Sequence, residues 1–199
     1  MTEFPHTSLS RTIDGTIRSI GKIVSWVWIV LLLVIVFNVV LRYLFSEGRI
    51  EFEEIQWHLY SVGFLFGLPF AFVTDSHIRV DVLRERFSDQ TRAWIELYGL
   101  LLLFFPFVLF VIINAFPFIS YSYTTSEISE APAGLPYRWL IKGVLLIGFF
   151  MLFVAGISRL SRVFCYLFGW PEQLGTEAES TDENHSVHDG EIGEADVSR

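Results

Sequence analysis

The chain is poor in the residues that build covalent, redox or metal chemistry. It has a single cysteine, Cys165, which excludes an intrachain disulfide and any relay that needs paired thiols. Only His58 falls inside a long apolar run; His6, His77, His185 and His188 lie in a terminus, a connection or the tail. A haem held by two histidines of one chain is therefore not expected. No Gly-x-Ser-x-Gly or His-Glu-x-x-His string occurs, and no glycine-rich phosphate loop, so hydrolytic and nucleotide chemistry lose their usual marks. Charge is missing over long distances. Ile23 to Leu41, Ile55 to Val73 and Leu97 to Ser120 contain no Asp, Glu, Lys or Arg, and no Lys or Arg falls between Tyr121 and Leu135.

What is present is apolar. Hydrophobic residues make up 52% of the chain, more than a soluble domain of this length needs. A helix needs about 20 apolar residues to cross the hydrocarbon core, where its backbone must satisfy its own polar groups. The three charge-free stretches meet that need. Gly143 to Ser158 reaches it if the helix starts at Pro136 and takes in Arg138 and Lys142, whose long stems can carry their charges to the interface. The expectation is an all-α membrane bundle of four transmembrane helices, at about 23–44, 53–74, 94–120 and 136–160, within a membrane domain 23–168. Residues 1–22 form an N-terminal segment without a clear small-residue cleavage site, read as preceding an uncleaved first span.

The formal charge of −8 is concentrated at one end. Residues from Pro171 to Arg199 carry nine acids against one Arg, while the rest has 13 of each sign. Such a block cannot bury enough surface to fold, so 169–199 is expected to be a disordered acidic tail. Lys and Arg favour one side: Arg11, Arg18 and Lys22 before the first span, Arg79, Arg84, Arg86 and Arg92 between the second and third, and Arg159 and Arg162 near the end. The positive-inside bias then makes both termini cytoplasmic. Trp26, Trp57, Trp94, Trp139 and Trp170 fall near the expected span ends, as an aromatic belt requires. In the segment 75–94, Val80, Leu83 and Phe87 share a helical face beside Arg79, Arg84 and Arg86. Two readings stand, an interfacial helix or a solvated loop.

Charges also gather on the other side, with Arg42 closing the first span, Glu53 and Glu54 opening the second, and Arg138 and Lys142 opening the fourth. One reading pairs a glutamate with Arg42, Arg138 or Lys142, within the chain or across to a partner. The other has the glutamates offset the positive end of a helix dipole, worth about 0.3 to 1 kcal/mol. As neighbours they project about 100° apart on a helix, which does not suit a facing catalytic pair.

Four strings occur in order: NVVLRYLF closing the first span, FEE before the second, HIRVD after it, and SEISEAPAGLPYRWLIK leading into the fourth. In this order they resemble the small membrane subunit of tripartite ATP-independent periplasmic (TRAP) transporters, over about Ile23 to Phe168. One branch of that family has Pro-Gly-Gly-Leu-Pro where this chain has Ala133 in place of the first Gly, a change that costs turn freedom. The resemblance implies a non-catalytic scaffold in the bacterial inner membrane. A periplasmic binding protein captures an organic acid, and a large permease subunit carries it by an elevator movement coupled to an ion gradient, usually sodium. It assigns Arg42, Glu53, Glu54, Arg138 and Lys142 to structural or subunit contacts, and the loop with Glu127 and Glu130 to the binding protein. The implied partners are the large permease subunit, the periplasmic solute-binding protein and the lipid bilayer; no cofactor and no nucleic acid is expected. The rival readings are a membrane anchor subunit of a redox enzyme complex, binding haem or quinone, and a self-sufficient small transporter or channel.

Overall fold

The computed structural model describes residues 7–45, 49–76, 87–129, 131 and 134–169; everything regular among them is helical. The helices are α1 (Ser8–Val24), α2 (Trp26–Leu44), α3 (Ile50–Val73), α4 (Asp89–Tyr98), α5 (Phe105–Thr124) and α6 (Arg138–Phe168), with a π-helical segment Gly99–Phe104 joining α4 to α5. The acidic tail beyond residue 169, residues 77–86 of the 75–94 segment, and Glu130 lie outside the described residues.

Local chemistry sets the ends of these elements. Thr7 opens α1 with a reciprocal capping box: the Ser10 amide donates to Thr7 Oγ1 at 3.2 Å and the Thr7 amide donates to Ser10 Oγ at 3.0 Å, satisfying amides that a helix start leaves unpaired. At Ser25 both the amide and the hydroxyl donate to the Gly21 carbonyl, at 2.9 and 2.8 Å, a competition that bends helices. This divides an amphipathic α1 from an apolar α2 of 19 residues, about 28 Å long and matched to a hydrocarbon core of about 30 Å. Ser88 caps α4, accepting from the Thr91 amide at 3.3 Å. The π segment ends just before Pro106, which has no amide to donate and whose ring crowds the preceding turn.

Among the described residues three stretches are long and apolar enough to cross a membrane, Ser8–Leu44, Asp89–Thr124 and Arg138–Phe168, where four were expected. The difference lies in α3, which is long enough at 24 residues but opens with Glu51, Glu53, Glu54, Gln56 and His58. α6, expected over 136–160, starts at Arg138 and runs 31 residues to Phe168.

α3 packs on α2, α6 and α1, while α5 lies along α6. The close approaches need glycine: a Cβ on Gly148 of α6 would come within 3.0 Å of the Leu65 carbonyl oxygen of α3, and one on Gly63 within 3.0 Å of the Trp28 ring. Small residues that let backbones approach are what helix association in lipid uses. Two apolar clusters close one end of the bundle, Ala93, Leu97 and Val163 in one, and Ile17, Val73 and Ala155 in the other. Leu33, Leu102, Leu103, Phe110 and Ile113 face outward and are well exposed, as a lipid-facing surface is.

Candidate subunit-contact site

The charged side chains singled out above meet at the end of the bundle where α2 finishes and α3 and α6 begin. Arg42 Nη2 donates to Glu53 Oε1 at 2.6 Å, and both side chains remain about half exposed. Glu54, one residue on, turns the other way and accepts from the Ser129 hydroxyl and the Leu135 amide. Its own carbonyl oxygen lies 2.6 Å from His58 Nδ1. The glutamates thus divide their work: Glu53 ties α3 to α2, and Glu54 ties α3 to the loop before α6.

Among the described residues neither Arg138 nor Lys142 forms an ion pair with Glu53 or Glu54. Both pair with Glu127, Lys142 directly and Arg138 at 3.6 Å, and the Lys142 ammonium also sits 4.0 Å from the centre of the Phe118 ring, a favourable cation–π placement. The Arg138 amide donates to the Glu127 carbonyl at 3.4 Å, and the Ser129 amide to the Leu135 carbonyl at 3.4 Å. The loop turns through left-handed backbone at Ser126 and Tyr137, conformations that cost a non-glycine residue energy. The hydrogen bond from Lys142 holds the Glu127 carboxyl below its ordinary pKa of 4.5. The carboxylate is committed to the chain itself.

Two hollows open at this end. One, of about 450 Å³ between α2 and α3, is lined by Leu31, Asn38, Arg42, Glu53, Gln56 and Tyr60. Asn38 is 8% exposed, and among the described residues its Oδ1 and the Gln56 Nε2 are buried without a hydrogen-bond partner. An unmade hydrogen bond on a buried polar group costs about 1 to 3 kcal/mol, a cost that turning either amide into the groove toward a polar partner would relieve. The other, of about 320 Å³, lies between His58 and Arg138, with Glu54, Trp57, Ser129 and Ile141 on its walls. Among the described residues no three His, Cys, Asp or Glu side chains gather as a metal site.

A second polar cluster, missed in the sequence, occupies the opposite end. Ser158 Oγ donates to Asp14 Oδ1 at 2.6 Å, and Arg162 Nη1 lies 4.0 Å from Asp14 Oδ2. Arg159 pairs with Glu96 of α4 and, at 3.7 Å, with Asp75 at the end of α3. Both arginines and Asp14 are more than nine-tenths buried. Arg159 and Arg162 read in sequence only as topogenic charges. The signal that finds Asp14 is its place in the series Ser10, Asp14, Ile17, Gly21, the buried face of an amphipathic helix.

A model of the family described as tripartite ATP-independent periplasmic transporters, DctQ component, matches residues 31–166. The chain belongs to this family. None of the curated proteins compared by sequence matches it. As a DctQ component the chain is part of a TRAP transporter, and the matched stretch runs from the middle of α2 almost to the end of α6. It takes in the site around Arg42, Glu53, Glu54, Arg138 and Lys142, and leaves α1 and the tail outside.

Proposed function

We propose that this chain is the non-catalytic small permease subunit of a TRAP transporter in the bacterial inner membrane, scaffolding a large ion-coupled subunit that takes up an organic acid delivered by a periplasmic binding protein. The family match over residues 31–166 carries the reading. Its spans offer no polar path of their own, since Asn38, His58 and Asn114 are the main polar side chains along them, and Asn114 is occupied by the Phe110 carbonyl at 2.7 Å. The groove between α2 and α3 is the face for the large subunit: its unsatisfied Asn38 and Gln56 atoms suit polar side chains of a neighbouring helix better than lipid tails. The loop bearing Glu127 and Glu130 faces the binding protein.

α3 acts as a fourth crossing in this reading. At 24 residues it is about 36 Å long, and its modest apolarity goes with its cover: most of its side chains are at least partly enclosed by neighbours. Both termini are then cytoplasmic. In a Cys165→Ala background, cysteines at Ser19 and Thr125 should be labelled from opposite sides of sealed vesicles if α3 crosses, with Ser19 on the cytoplasmic side. Labelling from one side contradicts the crossing. For the function, vesicles holding both membrane subunits should take up the acid with the binding protein and an ion gradient, and vesicles holding the large subunit alone should not. Equal uptake without this chain would remove the scaffold role.

A further inference from the structure

α1 presents three flanks. Its buried flank carries Ser10, Asp14, Ile17 and Gly21 against α3 and α6. On a helix turning about 100° per residue, Leu9, Ile20 and Ile23 fall together on a second flank, where Leu9 is 50% and Ile23 72% exposed. Arg11, Arg18 and Lys22 fall within about 40° of one another on a third, turned roughly 100° to 180° from that apolar flank. All three cations are exposed, and among the described residues no carboxylate pairs with any of them. The stripe therefore points away from the side that lipid would take.

The same chain supplies an opposite charge at this end. Thr7 Oγ1 and Ser161 Oγ are 2.9 Å apart, which sets the start of α1 beside the last two turns of α6. Beyond α6, the 29 residues from Pro171 to Arg199 carry nine acids and one Arg. That length extends at most about 95 Å, several times the roughly 16 Å between Arg11 and Lys22 along α1. We propose that the acidic segment Pro171–Arg199 docks on the Arg11, Arg18 and Lys22 stripe of α1, covering a basic face that packing against the bundle leaves open. The contact is electrostatic and needs no fixed register. It holds α1 by its outer face while Asp14 holds it by its inner one.

Spin labels at Ser19→Cys and Ser186→Cys in full-length chain carrying Cys165→Ala test this by distance measurement in vesicles of zwitterionic lipid and in vesicles containing anionic lipid. The expected result is a short-distance population in both. It is lost when Arg11, Arg18 and Lys22 become Gln, when the tail acids become Asn and Gln, and in about 1 M salt, where charges are screened beyond about 3 Å. A short population that survives either set of substitutions, or none in either vesicle, overturns the proposal. Its loss in anionic vesicles alone assigns the stripe to lipid headgroups and overturns it equally.

Discussion

Glu53 and Glu54 look alike in sequence and differ in work. Glu53 makes one ion pair that water reaches from both sides, and such pairs are worth about 0 to 1 kcal/mol. Glu54 accepts from a hydroxyl and from a backbone amide in a sheltered loop, and hydrogen bonds to a charged group are worth about 1.5 to 3 kcal/mol each. In detergent-solubilised chain, Glu54→Ala should lower thermal stability by about 2 kcal/mol or more and Glu53→Ala by less than about 1 kcal/mol. Equal losses would contradict the division of roles. Glu127 predicts a pH effect at the same end. Its carboxyl titrates below its ordinary pKa of 4.5, so its ionised form is bound more favourably in the folded loop than in the unfolded chain. That contribution is complete above 4.5 and fades as pH falls through the lowered value. Hydrogen exchange in residues 125–137 should rise below pH 4.5, and Glu127→Gln should flatten the rise. The charges themselves were legible in sequence; their partners were not, because Arg42, Arg138 and Lys142 are equivalent until the loop's path sends the last two to Glu127.

At the scale of elements, long apolar runs announced α2, α5 and α6, since hydrocarbon accepts no other arrangement of the backbone. α1 escaped because its pattern is amphipathic and its buried face is polar: Thr7 and Asp14 find partners on α6 that no local window contains. α3 was legible as a helix yet lies outside the measure of a clean span, its first turns holding the carboxylates of the site. The π segment before Pro106 is a register adjustment that composition does not encode. The contact between α3 and α6 is the most sensitive. Gly148→Val places side-chain atoms where the Leu65 backbone already stands, and overpacking of this kind costs about 1 to 3 kcal/mol. Gly143, which has open space around it, is the control: Gly143→Val should leave the melting temperature nearly unchanged while Gly148→Val lowers it clearly. Asp14→Ala should raise hydrogen exchange across residues 8–24 more than in α5, because it removes the Ser158 bond and leaves Arg162 without that carboxylate.

For the whole molecule, family and architecture lead to one account. A DctQ component with ionic ties at both ends of the bundle and apolar helices between them suits the scaffold role proposed above. Sequence order carried the family, since four weak strings in succession specify more than any of them alone. It left open which face meets a partner, because the unsatisfied Asn38 and Gln56 atoms come together only when α2 and α3 pack. Co-purification with the large permease subunit tests the central claim most directly. The account predicts a stoichiometric complex from the unaltered chain, and a substantial loss of it when Asn38→Leu and Gln56→Leu are combined in a chain that still folds. A large subunit that never co-purifies with the unaltered chain would contradict the account.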